Sequence, residues 1–122
     1  MVGRICECSF CYIHGAIWTS HASAKAQMQT KEYEKIINYR FGHQTARFRI
    51  CATCGVVIAA IWKDDGRDLG VININTLVEA FASSIEHVPV CFADENLDDR
   101  EKRRRANWMP MFEANSEFRQ LN

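Results

Sequence analysis

The sequence predicts a mostly β, antiparallel domain with one or two short helices near its C-terminus. Apolar runs of strand length fill the first three quarters of the chain, whereas helix-capping residues precede periodic segments only in the last third. The 122 residues are enough for one modest hydrophobic core. We therefore expect a single domain over residues 1–122.

The clearest strand signals lie on both sides of residue 51. Apolar and polar residues alternate over 45–50, so one face would join the core, while Arg47 and Arg49 on the other would be solvated or contact a substrate carboxylate. The run 56–62 is apolar on both faces and predicts a central strand that pairs back on the first. Further strand candidates are 16–22, 35–41 and 70–75.

Helix signals follow these strands. Residues 76–79 have the T-x-x-E form of a capping box, which predicts one or two helical turns. Asn96 suits the N-cap of a helix from Leu97 to about Asn107, with acids in the first turn and bases near the end, and Pro110 would stop it. We expect a helical tail over about 97–122, anchored on the core by the apolar residues Trp108, Met109, Met111 and Phe112.

Five of the six cysteines have the spacing of metal ligands. They form a C-x-C-x2-C cluster and a later C-x2-C-G knuckle, which contain Cys6, Cys8, Cys11, Cys51 and Cys54. Two intervening residues let both sulfurs reach one ion, and the following Gly allows a turn that directs N–H groups at them. The spacing therefore predicts zinc. Disulfides are disfavoured because no apolar signal segment precedes the first cysteine; inert buried thiols are the other alternative.

The choice of ligands decides between two functions. If Cys6, Cys8 and Cys11 share one ion, its fourth position is open to water or substrate. Such a zinc would bind a thiol as thiolate, for addition to a carbonyl carbon or for the reverse cleavage of a C–S bond. If the four ligands are instead Cys8, Cys11, Cys51 and Cys54, the site is closed, and the protein is a structural β module that acts through its surface.

The charge of the chain excludes other classes of function. Fifteen basic and 15 acidic residues give a formal net charge of zero, so no global field attracts nucleic acid or an anionic membrane. The basic run 102–105 is balanced by acids over 94–105, which favours a solvated helix face. The longest apolar run is far below the roughly 20 residues that span a bilayer. Reduced thiols and the missing signal segment predict a soluble protein of the cytoplasm.

A few further residues have chemistry that suits a site. Cys91 has apolar neighbours and is interpreted as a buried thiol, with a position near the open zinc as the alternative. His14 and His21 follow the first cluster and are candidates for a fourth ligand or a general base, although ordinary hydrogen-bonded histidines are the default. Asp94 is a candidate for a polar role near the site, and His43 and His87 are interpreted as loop residues.

The motifs resemble those of the glutathione-dependent formaldehyde-activating enzyme family, which includes centromere protein V. The resemblance runs from about Arg4 to about Asn96, and its motifs are the cysteine triple with Gly15-Ala16 after it, the knuckle Cys51-x2-Cys54-Gly55, and Gly70-Val71-Ile72-Asn73. It implies a β-tent fold and a zinc-dependent carbon–sulfur lyase acting on a thiol adduct such as that of glutathione and formaldehyde. It also implies that the cysteine triple holds the catalytic zinc and that the knuckle supplies half of a structural zinc.

The chain departs from the family pattern at two places. The family's earlier C-x-C, which completes the structural zinc, has no counterpart in residues 1–5. We expect either that the chain begins late in the usual domain or that its second zinc site is rebuilt or lost; a missing strand pair would leave a sheet edge that favours a homodimer. Residues 12–14 replace basic residues that follow the cysteine triple in the family, which removes a partner for an anionic substrate.

Overall fold

The computed structural model describes residues 2–21, 23–29, 33–40, 45–76 and 86–113. Its fold is mostly β, as the sequence predicts. The strands are β1 (Val2–Cys6), β2 (Ile17–Thr19), β3 (Ala26–Met28), β4 (Ile36–Tyr39), β5 (Arg47–Cys51), β6 (Val57–Asp64), β7 (Arg67–Asn73), β8 (Glu86–Val90) and β9 (Met109–Glu113). The α-helices are α1 (Ser9–Ile13) and α2 (Leu97–Asn107), and short 3-10 turns lie at Tyr33–Lys35 and Ile74–Thr76.

One sheet contains strands in the order β4-β5-β6-β7-β2-β1-β8. Its neighbouring strands run antiparallel, except that β1 and β8 are parallel. The first half of β7 also pairs with β9, which in turn pairs with β3. The β3–β9 pair forms a second layer over one face of the sheet, because its buried residues pack against β6.

The core lies on both faces of β6. Ala60 and Trp62 belong to a cluster with buried residues of β2, β5, β7 and α1. Ala59 and Ile61, which alternate with them, are fully buried against β3 and β9. The prediction of a central strand that is apolar on both faces is therefore confirmed.

Local signals predicted some strands and missed others. The hairpin around the knuckle is confirmed: β5 and β6 pair, and the Cys51 N–H donates to the Val56 carbonyl at 2.9 Å. The strand expected at 70–75 is the end of β7, and those expected at 16–22 and 35–41 are the shorter β2 and β4. β1, β8 and β9 were not predicted, because no clear alternation marks them. β3 was also missed, although apolar and polar residues alternate over 24–29.

The helix predictions were partly right. The helix from Leu97 to Asn107 is confirmed, and the Asn96 side chain accepts a hydrogen bond from the Asp99 N–H at 2.8 Å. The expectation that helices occur only in the last third was wrong, because α1 lies within the cysteine cluster. A wholly helical tail was also wrong: α2 is followed by β9, whose apolar residues continue the second layer. Residues 77–85, which include most of the capping box, and 114–122 lie outside the described residues.

The tail is anchored on the core as expected, with one exception. Trp108, Met109 and Met111 are buried, and Phe112 is 48% exposed. The alternation of β9 explains the exception, because Met109 and Met111 face β6 of the main sheet while Phe112 points away from it.

The prediction that Arg47 and Arg49 face solvent or a substrate was wrong. Arg49 is 1% exposed and pairs with Glu113 at 3.4 Å, and Arg47 is also buried and pairs with Asp68 at 3.2 Å. The physical reason is the second layer, because β9 covers this face of β5 and brings Glu113 with it. Both guanidinium groups therefore have carboxylate partners from the protein itself.

The described helices are short. The longer of the two, α2, has 11 residues, and no helix in the described ranges is both long and apolar enough to cross a membrane.

Candidate metal centre

Three thiols meet where β1 leads into α1. The sulfurs of Cys6, Cys8 and Cys11 all lie within 4.8 Å of one another. Cys6 ends β1, Cys8 is the N-cap of α1, and Cys11 follows one turn later, so the chain direction changes within the motif and aims the three side chains at one point. A tetrahedral zinc with Zn–S bonds of about 2.3 Å holds its sulfurs about 3.8 Å apart. The cluster therefore fits one metal ion held by three thiolates.

Hydrogen bonds reach all three sulfurs of this cluster. The Cys11 N–H donates to the Cys8 sulfur at 3.4 Å, and the Trp18 indole N–H donates to the Cys11 sulfur at 3.3 Å. A hydrogen bond from the Cys11 thiol lowers the pKa of Cys6 to about 6, against the opposing effect of burial. Donating that bond, together with burial, raises the pKa of Cys11. Cys6 is thus the first of the pair to ionise.

The knuckle cysteines do not join this cluster. Phe10 of α1 packs on Phe48 with 4.5 Å between ring centroids, and Phe48 lies about 10 Å along β5 from Cys51. The closed arrangement of Cys8, Cys11, Cys51 and Cys54 is therefore not formed. The reason is that α1 rests on the middle of β5, whereas the knuckle is at its end.

The knuckle itself has the geometry expected of half a metal site. Backbone hydrogen bonds from Cys54 and Thr53 to the Cys51 sulfur lower the pKa of the Cys51 thiol. Gly55, with φ of 80°, donates its N–H to the Cys51 carbonyl at 2.7 Å and closes the turn. A zinc ion held by Cys51 and Cys54 stays a prediction.

The three-cysteine cluster opens into a cavity of about 350 Å³. Much of the lining is apolar and comes from the core, including Trp18, Ala46, Phe48, Ala60, Val71 and Trp108. Among the described residues, the charged lining consists of four arginines and one acid: Arg4, Arg100, Arg103, Arg104 and Glu7. The cavity therefore combines thiols, an apolar floor and an excess of positive charge.

Two of the cavity arginines share one carboxylate. Arg103 donates two hydrogen bonds to Glu95, at 2.7 and 2.9 Å, and its guanidinium lies 3.6 Å from the centre of the Phe92 ring. Arg100 lies 3.5 Å from the same carboxylate. These hydrogen bonds and charges, chiefly from Arg103, lower the pKa of Glu95.

The other two arginines are held by neutral groups. Arg104 is 8% exposed, donates to the Thr45 hydroxyl at 3.0 Å, and lies 4.7 Å from the centre of the Trp108 ring. Burial lowers the pKa of Arg104 to about 10, so the side chain stays charged at neutral pH. Arg4 donates to the Ser20 hydroxyl at 2.6 Å, and burial likewise lowers its pKa.

The interpretation of residues 102–105 as a solvated helix face was wrong for its two middle residues. Lys102 and Arg105 do point outward and pair with acids, but Arg103 and Arg104 face the cavity. The overlooked signal is spacing, because Arg100, Arg103 and Arg104 are three and four residues apart and so share one face of α2.

The remaining candidates have other positions. Cys91 is exposed and lines the cavity, so its interpretation as a buried thiol was wrong. Cys91 directly follows β8, and the last residue of β8 pairs with Cys6.

His14 is exposed, with Nδ1 2.8 Å from the Phe10 carbonyl, and His21 accepts a hydrogen bond from the Ser23 N–H. Neither of these histidines belongs to the cluster, and exposed Asp94 is not among the lining residues. His87 is exposed in β8, and His43 lies outside the described residues.

Fold and site together define a mostly β domain with a candidate three-cysteine metal centre. No model of a protein family matches the chain, and no curated protein does. Among solved structures, the chain is similar to a Rhodobacter sphaeroides protein whose crystal structure came from a structural genomics programme. The identity is 22%, the match covers 70% of this chain and 80% of that chain, and the TM-score is 0.47. This likeness gives no indication of function.

Proposed function

We propose that Cys6, Cys8 and Cys11 hold a zinc ion whose fourth position faces the cavity, and that the protein is a carbon–sulfur lyase-type enzyme. Its substrate would be a thiol–aldehyde adduct such as S-hydroxymethylglutathione. The observation that carries the proposal is the convergence of three thiols, all within 4.8 Å, at the wall of a cavity. The resemblance of the cysteine motifs to the formaldehyde-activating family supports the same reaction.

The donor set supports an open coordination position. No histidine, aspartate or glutamate among the described residues joins the three sulfurs, which leaves a tetrahedral ion one ligand short. The adjoining volume lies within the range of small-molecule sites. Zinc in this position would supply a Lewis acid that stabilises a sulfur anion.

The reaction needs one bond broken and one proton removed. In a hydroxymethyl thioether the C–S bond breaks, sulfur leaves with the electron pair, and the hydroxyl oxygen forms the carbonyl as it loses its proton. Glu7 lines the cavity and is the candidate acceptor of that proton. Its backbone is fixed beside the site by a hydrogen bond from its N–H to the Val90 carbonyl at 3.2 Å.

The structural-module alternative has less support, because it requires Cys51 and Cys54 to meet Cys8 and Cys11. The proposed activity also suits a reducing compartment such as the cytoplasm, where ligand thiols stay reduced.

Exchange between glutathione and its formaldehyde adduct tests the proposal. Two-dimensional NMR exchange spectroscopy on the zinc-loaded protein should show faster interconversion than in buffer, and Cys8→Ser should abolish the acceleration. Cys91→Ser is the matched control, because Cys91 lines the same cavity outside the cluster, and it should retain exchange. An unaccelerated exchange rate with folded, zinc-loaded protein would contradict the proposal.

A further inference from the structure

The cavity contains two arginines that have no acidic partner among the described residues. Arg104 makes one hydrogen bond there, to Thr45, and Arg4 makes one, to Ser20. The Nε of Arg104 is buried without a hydrogen-bond partner. In contrast, their neighbours Arg100 and Arg103 both form ion pairs with the carboxylate of Glu95.

A buried guanidinium without a counter-charge is unfavourable, because it gives up hydration and gains no ion pair in return. Ring contacts offset part of this cost for Arg104, whose guanidinium lies 4.7 Å from the Trp108 centroid and 5.6 Å from that of Trp62. The buried ion pair between β5 and β9 shows the usual solution, since Arg49 there has Glu113. An anion in the cavity would give Arg104 the equivalent partner.

We propose that Arg104, with Arg4 as a second cation, binds the carboxylate of the ligand whose sulfur meets the three cysteines. The inference rests on the proposed function for the sulfur end of that ligand only. The substrate class is therefore a thiol, or thiol adduct, that carries a carboxylate on a short apolar spacer. The planar guanidinium fork matches the two oxygens of a carboxylate, and the floor of the cavity is apolar.

A competing role for Arg104 is to balance the charge of the thiolates. No hydrogen bond joins Arg104 to any of the three cysteines within the described ranges. If charge balance were its role, Arg104→Gln would lower metal retention and leave the ligand preference unchanged. The two roles are thus separable by experiment.

Calorimetric titration of the metal-loaded protein provides the test. The probes are 3-mercaptopropionate, its neutral isostere 3-mercaptopropionamide, and thiol-free propionate. We expect the acid to bind about 10- to 100-fold more tightly than the amide, as for hydrogen bonds to charged groups. Arg104→Gln should reduce this ratio to near one.

Arg105→Gln is the matched control. Arg105 is the next residue on α2, but it pairs with Asp64 at 2.9 Å and is absent from the cavity lining, so the ratio should not change. Arg104→Lys retains the charge and loses the fork, and should give an intermediate ratio. Circular dichroism establishes that each variant is folded, and Arg4→Gln provides a second loss-of-charge variant.

Equal binding of acid and amide by the wild-type protein would overturn the inference, and this measurement needs no variant. Thiol binding without a carboxylate preference would overturn it while leaving the proposed function standing. Propionate binding that Arg104→Gln abolishes, with no binding of thiols, would support the anion site and contradict the proposed function.

Discussion

Arginine side chains in this protein fall into two groups with different electrostatic environments. Arg47 and Arg49 are buried under the second layer and paired with carboxylates of the chain, so they contribute to the fold. Arg4 and Arg104 lie at the cavity and contact only neutral groups within the described ranges. Arg49 joins β5 to β9 through Glu113, and Arg47 joins β5 to β7 through Asp68. The second group lines the cavity.

The buried pair makes a prediction about stability. Arg49→Ala would leave the Glu113 side chain, which is 2% exposed, without its partner. We expect the free energy of unfolding to fall by about 3–5 kcal/mol, measured by urea denaturation. The control is Arg67→Ala, whose pair with Asp64 involves a side chain that is 64% exposed, and whose expected loss is below about 1 kcal/mol. If both variants lost a similar, small amount of unfolding free energy, the result would contradict a buried Arg49–Glu113 pair.

At the scale of elements, the cysteine cluster depends on tertiary packing rather than on helix propensity. α1 has five residues, which is too short to be stable alone. It is held because Phe10 packs against Tyr39 and Phe48, with ring centroids 5.4 and 4.5 Å away. The spacing of the cysteines predicted that their sulfurs meet, but not the helix, because five residues carry no periodic signal.

The knuckle is the second element that brings cysteines close together. If Cys51 and Cys54 hold a structural metal, losing one ligand removes several kcal/mol of folding free energy. We therefore expect Cys54→Ala to lower the melting temperature more than Cys6→Ala does, measured by differential scanning calorimetry. Cys91→Ala, which removes another exposed thiol, is the control and should not change it. Equal melting temperatures for wild type and Cys54→Ala would show that the knuckle binds no metal that stabilises the fold.

At the scale of the whole molecule, local signals and long-range pairing explain different parts of the structure. The β5–knuckle–β6 hairpin was predicted from alternation and a turn, and α2 was predicted from its N-cap. Each of these signals is encoded by residues adjacent in the chain. β1 and β8 were not, since their pairing joins Cys6 to Val90 and depends on the complete fold. The arginines of α2 were misjudged for a related reason, because charge balance along the chain does not say which helix face is covered.

The cavity is consequently a property of the assembled fold. Its three clustered thiols come from the end of β1 and the start of α1, Thr45 precedes β5, and the arginines come from β1 and α2. If the substrate is an anion, the partner missing after the third cysteine of the motif would come from cavity arginines about 90 positions later.

The proposed reaction requires an open metal position at Cys6, Cys8 and Cys11, and cobalt substitution makes such a position visible. The cobalt-loaded protein should show a thiolate-rich visible spectrum that changes saturably when 2-mercaptoethanol is added. The change should disappear in Cys6→Ser and persist in Cys91→Ser. An unchanged spectrum up to millimolar thiol, in protein confirmed to hold cobalt, would contradict the open site and with it the proposed reaction.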